Sequence, residues 1–189
     1  MPRLIERLLI VVASVCVAIA VIALLSGGLL AGRDSPGVSG AQSGPGTAFP
    51  DQGDALLTPG QSRPRYDSEP PTSGPHLSAA VDRDGAQLTD DQLLQALSVG
   101  DVVLMYGTRT PPRGLGALAR SIAPPFTPAL AQTGQAAVLA YRPGTTGVLG
   151  LAWAHMAHVR SPLDPSLRSF AQYWLGRGAP RRAGALPSS

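Results

Sequence analysis

Hydrophobic and polar positions divide this chain into regions with different periods. From Leu8 to Gly32 the run LLIVVASVCVAIAVIALLSGGLLAG holds no charged residue. A helix rises about 1.5 Å per residue, so these 25 residues can cross the roughly 30 Å hydrocarbon core of a bilayer. The pattern predicts a single transmembrane helix over 8–32. Residues 33–48 are rich in Gly, Ser and Pro with almost nothing to bury. They read as a flexible linker with a coil reach of about 20–24 Å.

The pattern changes again at residue 49. Residues 49–87 show no period and many turn formers, as in PDQG, TPGQS and EPPTSGPH. Such a stretch reads as irregular chain laid over a later sheet, and its length suggests a functional or interface role. Thr89 followed by Asp90, Asp91 and Gln92 has the spacing of a capping box, and early acids favour a helix N-terminus. Leu93, Leu94 and Leu97 continue as a helical stripe, with Gly100 as the stop. Asp101–Tyr106 (DVVLMY) is a short apolar run that predicts a buried strand.

Beyond it, Leu115–Ala123 reads as a short helix ended by Pro124 and Pro125. Ala136–Tyr141 and Gly147–Ala154 read as strands, and the short link Arg142-Pro-Gly-Thr-Thr favours an antiparallel hairpin between them. Asp164 with Pro165 behind it starts a last helix. Its Leu167, Phe170, Ala171 and Trp174 form a core-facing stripe. The expected order α-β-α-β-β-α makes residues 49–178 a small α+β domain, with helices packed on a short sheet. Residues 179–189 read as a disordered tail.

Flanking charge orients the apolar run. Arg3 and Arg7 precede it, partly offset by Glu6, while Arg33 and Asp34 cancel. The bias places residues 1–7 in the cytoplasm and the body outside. The competing reading is a cleaved signal peptide, with Ser26-Gly27-Gly28 near a cleavage point. Its apolar core would normally span only about 7–15 residues, so the anchor is preferred. The expected location is the cell (plasma) membrane, single-pass, with an extracytoplasmic body. Cys16, preceded by Val15 and lying mid-run, reads as a packing residue rather than a lipidation site.

Composition narrows the chemistry. All 15 basic residues are Arg, there is no Lys or Asn, and there is one Cys. N-glycosylation, an intramolecular disulfide and a Cys-based zinc site are therefore excluded. The net charge of +3 is unevenly spread: residues 33–101 carry 4 Arg and 10 acids, whereas 102–189 carry 9 Arg and only Asp164. This predicts either an acidic half folded on a basic one or a basic half facing an anionic surface such as lipid headgroups. The arginines lack interleaved stacking aromatics, so nucleic acid is not an expected partner.

Several segments together resemble a bacterial family, the domain-of-unknown-function family 3105. They are Asp51-Gln52-Gly53, Tyr66, PPTSGPH at Pro70–His76, LLQALSVGDVVLMY, LAWA and the last helix. The resemblance covers residues 49–178 and implies a membrane-anchored protein. Where the family reads H-x-L-E-H-G, this chain has Gln95-Ala96-Leu97-Ser98-Val99-Gly100. A histidine the family often carries after DQG is replaced by Asp54 and Ala55. Of the ionisable cluster the resemblance implies, only His76 remains.

The motif residues Asp51, Gln52, Tyr66, Pro70, Pro71, Thr72, Ser73, Gly74, Pro75 and His76 are the candidate binding set. Prolines fix φ and remove backbone donors, Gly74 permits an unusual conformation, and the hydroxyls can bond local backbone. The segment thus reads as a rigid, exposed turn presenting His76 as a ligand or proton carrier. The structural reading is that His76 ties the loop to the sheet, with Tyr66 packed beneath. His155 and His158 are the other metal candidates with His76, and on a strand they face opposite ways. No catalytic residue and no cofactor is expected. The function expected is non-catalytic binding or scaffolding in the bacterial envelope. Its partners would be the bilayer through 8–32 and an envelope or membrane protein. The alternative is a metal-binding or metal-dependent enzyme, degenerate in this member.

Overall fold

The computed structural model describes residues 43–180. The segments expected as cytoplasmic N-terminus (1–7) and transmembrane helix (8–32), most of the linker, and the tail from 181 lie outside the described residues. Among the described residues no helix is long and apolar enough to cross a membrane.

The described chain is a small α+β domain of five strands and four helices. Helix α1 (Asp90–Val99) starts with the expected capping box. Thr89 accepts from the Gln92 N–H, and Gln92 reaches back to the Thr89 N–H. Gly100 closes the helix at φ 115°, a left-handed conformation that costs glycine nothing. Strand β2 (Val102–Tyr106) follows at once, buried along its whole length. Helix α2 (Leu115–Ile122) stops at Ala123, which is extended as a residue before proline must be. A further short helix, α3 (Pro128–Gln132), is capped by Thr127. After β3 (Ala137–Tyr141), strands β4 (Val148–Ala152) and β5 (His155–Val159) lead to α4 (Pro165–Trp174), capped by Asp164.

The sheet order is β1-β5-β4-β2-β3, where β1 is the two-residue strand Thr47–Ala48 on β5. Strand β2 pairs parallel with β3 and antiparallel with β4. Period-two alternation sorts its side chains. Val103 and Met105 face Leu93, Leu94 and Leu97 of α1. Val102, Leu104 and Tyr106 face α2 and the Leu167, Phe170, Ala171 and Trp174 stripe of α4. Helices therefore cover both faces, which is why β2 carries a continuous apolar run rather than an alternating one. The outer edge of β3 is bonded by irregular chain: Gly85 donates to the Leu139 carbonyl at 2.9 Å, and Tyr141 donates to Ala86 at 2.9 Å. This cover blunts an otherwise open edge.

Two expectations need correction. Strands β3 and β4 do not form a hairpin, because β2 lies between them. The link 142–147 crosses the end of β2, with the Arg142 N–H donating to Tyr106 at 2.9 Å. Two strand spacings are about 10 Å, well within reach of six residues. A short link is therefore compatible with skipping one strand, and the doubly buried β2 takes the centre. Gly107 makes the crossing possible, since a Cβ there would overlap the Thr145 carbonyl oxygen. The tight hairpin is instead β4–β5, turning at Trp153-Ala154 with Ala154 at φ 56°.

The second correction concerns the end of the linker. Residues 43–48 belong to the folded domain. Tyr173 donates its hydroxyl proton to the Ser43 carbonyl at 2.6 Å, and Trp174 Nε1 donates to Pro45 at 2.8 Å. Gly46 lies where a methyl would sit 2.7 Å from the Phe170 ring. The glycines that read as coil formers are here small residues admitting close contact with aromatic rings.

Candidate functional site at the β4–β5 hairpin tip

The β4–β5 turn is where the scattered motifs meet. Ala154 holds a left-handed backbone that costs a non-glycine residue roughly 1–2 kcal/mol. Both of its peptide groups are engaged: its N–H donates to the Thr72 carbonyl at 2.9 Å, and its carbonyl accepts from the Phe49 N–H at 2.8 Å. Beside it Trp153 Nε1 donates to Asp51 Oδ1 at 3.1 Å, across 102 positions of sequence. The same oxygen accepts from the Gly53 N–H at 2.9 Å, which shapes the Asp51-Gln52-Gly53 turn. Ser73 closes the ring by donating to the Pro50 carbonyl at 3.0 Å and accepting from the Gln52 N–H at 3.2 Å.

The PPTSGPH segment is buried rather than exposed, correcting the expectation for it. Pro70, Pro71, Thr72, Ser73, Gly74 and His76 are all buried, and only Pro75 is partly open. The Glu69–Pro70 peptide is cis. The segment's polar atoms fall inside because the loop is pressed between the hairpin tip and residues 50–66. Tyr66 donates its hydroxyl proton to the Pro75 carbonyl at 2.9 Å. Its ring packs on Gly74, where any Cβ would meet it at 2.7 Å. Burial raises the Tyr66 hydroxyl above its ordinary pKa. Gln52 donates to the Arg65 carbonyl at 3.1 Å.

His76 is fully enclosed. Its Nδ1 bonds the Gly74 carbonyl at 2.9 Å, and a carbonyl only accepts, so Nδ1 carries the proton. Nε2 has no hydrogen-bond partner. The main chain of His76 ties the loop to residues 55–57 rather than to the sheet: its N–H donates to Ala55 at 3.1 Å, and its carbonyl accepts from Leu57 at 2.8 Å. The following N–H, of Leu77, donates to Asp91 Oδ1 at 3.0 Å. Asp91 also holds the Arg63 guanidinium, and this pairing, helped by the Leu77 N–H, keeps its carboxyl below the usual range.

The other two histidines stand in separate settings. His155 is buried, stacked on Trp174 at 4.0 Å, with Nδ1 3.0 Å from the Trp153 carbonyl. His158 is exposed, with Nε2 2.7 Å from the Thr146 carbonyl. Among the described residues, no three His, Cys, Asp or Glu side chains are grouped to hold a metal. The expected pairing of acidic and basic halves is also slight. Among the described residues Arg142 alone bridges them by ion pairs, to Glu69 and Asp90. The irregular segment is held on the domain chiefly by backbone bonds and the Asp51–Trp153 contact.

One ionisable group escaped the sequence reading. Asp101, between the helix stop and β2, is 1% exposed. Oδ1 accepts from the Ala136 N–H at 2.8 Å, and Oδ2 has no partner. Burial pushes its pKa up to about 7. The signal for it was an acid set directly between Gly100 and an uninterrupted apolar strand. Asp101 lines a cavity of about 220 Å³ with Gln95, Val99 and Val81. Gln95 and Val99 are the positions where the family resemblance implies histidines.

Fold and site together define a small extended-loop α+β domain in which a proline-rich motif is clasped to a hairpin tip. Residues 59–185 match the family described as Protein of unknown function (DUF3105), and the chain belongs to that family. The match takes in Tyr66, PPTSGPH and all four helices; the Asp51 turn lies just before it. No curated protein and no solved structure matches the chain.

Proposed function

We propose that this protein is a single-pass, membrane-anchored extracytoplasmic module with a binding or scaffolding role rather than a catalytic one. The observation that carries the non-catalytic reading is the use of the motif's polar groups. Ser73 gives its proton to Pro50 and not to His76, Asp51 is shared between Trp153 and Gly53, and Tyr66 is bound to Pro75. A nucleophile needs a base within hydrogen-bond reach, and these side chains are committed to bonds that hold the loop and the hairpin tip together. The anchor rests on the uncharged run 8–32 and the charges around it.

The test is fractionation. The full-length chain should stay with membranes after a carbonate wash, and protease added to spheroplasts should remove the body. A soluble mature form starting near residue 29 would end the anchor reading.

One observation favours the metal reading: His76 Nε2 is a buried nitrogen with no hydrogen-bond partner. A metal site needs three or four ligands with supporting contacts. Calorimetry with zinc and copper decides between them. The expected result is no stoichiometric site; a sub-micromolar one abolished by His76→Ala would favour the metal reading.

A further inference from the structure

One face of the domain carries positive charges with no acidic partner among the described residues. Arg109, Arg113, Arg120, Arg160, Arg168 and Arg177 are all exposed, and among the described residues none of them forms an ion pair. They belong to α2, α4 and the turns beside them. The single acid there, Asp164, is occupied in capping α4, accepting from the Ser166 N–H at 2.9 Å and its hydroxyl at 2.7 Å. Contacts draw these elements into one surface. Arg168 Nη1 donates to Ser121 Oγ at 2.8 Å, bridging α4 to α2 next to Arg120. A methyl on Gly114 would lie 3.2 Å from Leu163, so the turn that follows Arg160 rests against the start of α2. Leu163 itself is 78% exposed, the most open large apolar side chain among the described residues.

The chain joins the domain on this same side. Ser43 and Pro45 are bonded to Tyr173 and Trp174 in the last turn of α4, and Arg177 lies 4.2 Å over the Tyr173 ring. Ten residues, 33–42, separate Ser43 from the end of the apolar run. Fully extended they span at most about 36 Å. Most acids lie elsewhere, on the irregular segment 49–87 and on α1.

We propose that the α2/α4 face is a docking surface for anionic lipid headgroups. Its guanidinium groups meet phosphates, and Leu163 enters the boundary between headgroups and acyl chains. Guanidinium is weakly hydrated and matches phosphate oxygens in paired hydrogen bonds. The field of an anionic bilayer decays over about 8–10 Å, so attachment near α4 supplies the proximity that the attraction requires. An exposed leucine three residues after Arg160 and resting beside Gly114, which follows Arg113, has the composition of an interfacial contact. This inference rests on the anchored reading above.

The test uses the full-length chain in nanodiscs, with Cys16→Ser and Leu163→Cys carrying an environment-sensitive fluorophore. Discs contain phosphatidylcholine alone or with about one-third phosphatidylglycerol. The expected result is a blue-shifted label, quenched by spin-labelled lipid, in anionic discs at low salt. High salt should reverse it. Replacing Arg113, Arg120, Arg160 and Arg168 by Gln should lower the docked-to-free ratio at least roughly tenfold. A label at Asp82→Cys, on the acidic segment, should stay in water. A Leu163→Cys label that remains in water on anionic discs, or an Asp82→Cys label shielded in its place, overturns the docking face alone. Failure of the chain to enter discs overturns the anchor and this inference with it.

Discussion

Asp101→Asn should change how the stability of this domain depends on pH. In the folded state the Asp101 carboxyl titrates near 7, raised by burial from 3.8. The native state therefore holds a proton that the unfolded state has released between about pH 4 and 7, so stability falls as pH rises through that window. Each pH unit inside the window costs about 1.4 kcal/mol, so the loss between pH 5 and 8 is about 2–3 kcal/mol. Asparagine has the shape of the protonated acid and keeps an acceptor for the Ala136 N–H. Its stability should be flat across the range. It should exceed the parent by about 3–5 kcal/mol at pH 8 and about 1–2 kcal/mol at pH 5. For a domain of this size each kcal/mol is about 3–4 °C in Tm. Denaturant titration followed by Trp153 and Trp174 fluorescence reads the difference. Parallel profiles for parent and variant, or a variant less stable at pH 8, would refute the assignment of Asp101 as a buried charge.

Asp91 should behave in the opposite sense. Its carboxyl is held low, chiefly by Arg63, so its contribution is present above the unfolded value and lost as pH falls through the folded one. Asp91→Asn should flatten the acid limb of the stability curve below about pH 4, and an unchanged limb counts against the pairing. Two glycines at the crossing, Gly107 at the end of β2 and Gly144 within the link over it, should respond differently to alanine. Gly107→Ala meets the Thr145 backbone and should cost about 3 kcal/mol or more. Gly144→Ala has open space around it and a φ of 86°, so only the left-handed strain of about 1 kcal/mol applies. Equal melting temperatures for the two variants would contradict the crossing of β2.

Much of the architecture could be read from local signals. Thr89 and Gln92, Gly100, and Asp164 with Pro165 each fix an element end through contacts within a few residues. The stripes on α1 and α4 announce their buried faces in the same way. What stayed hidden depended on distant partners. The place of β2 between β3 and β4 follows from its two-sided burial in the assembled sheet, which link length does not encode. Strand β1 exists because Gly44 and Gly46 fit against aromatic rings about 130 residues away. The motif residues themselves were legible, but whether PPTSGPH faced water or the interior depended on Trp153 and Ala154. A proline-rich, hydroxyl-bearing stretch has the same composition in either place. The unpaired arginines show the limit of charge counting: the two halves differ strongly in sign, yet Arg142 is the one bridge between them among the described residues.

The most direct test of the motif as architecture is a double-mutant cycle between Asp51 and Trp153. Trp153→Phe removes the indole N–H and keeps a ring, while Asp51→Ala removes its acceptor. The bond from Asp51 to the Gly53 N–H is lost with and without the indole, so it cancels in the cycle. A hydrogen bond to a carboxylate in this setting should give a coupling of about 1–2 kcal/mol in denaturant unfolding. Coupling of that size would establish that the Asp51 turn is spent on clasping the hairpin tip. Single-variant effects that simply add would contradict it and leave Asp51 free for a ligand.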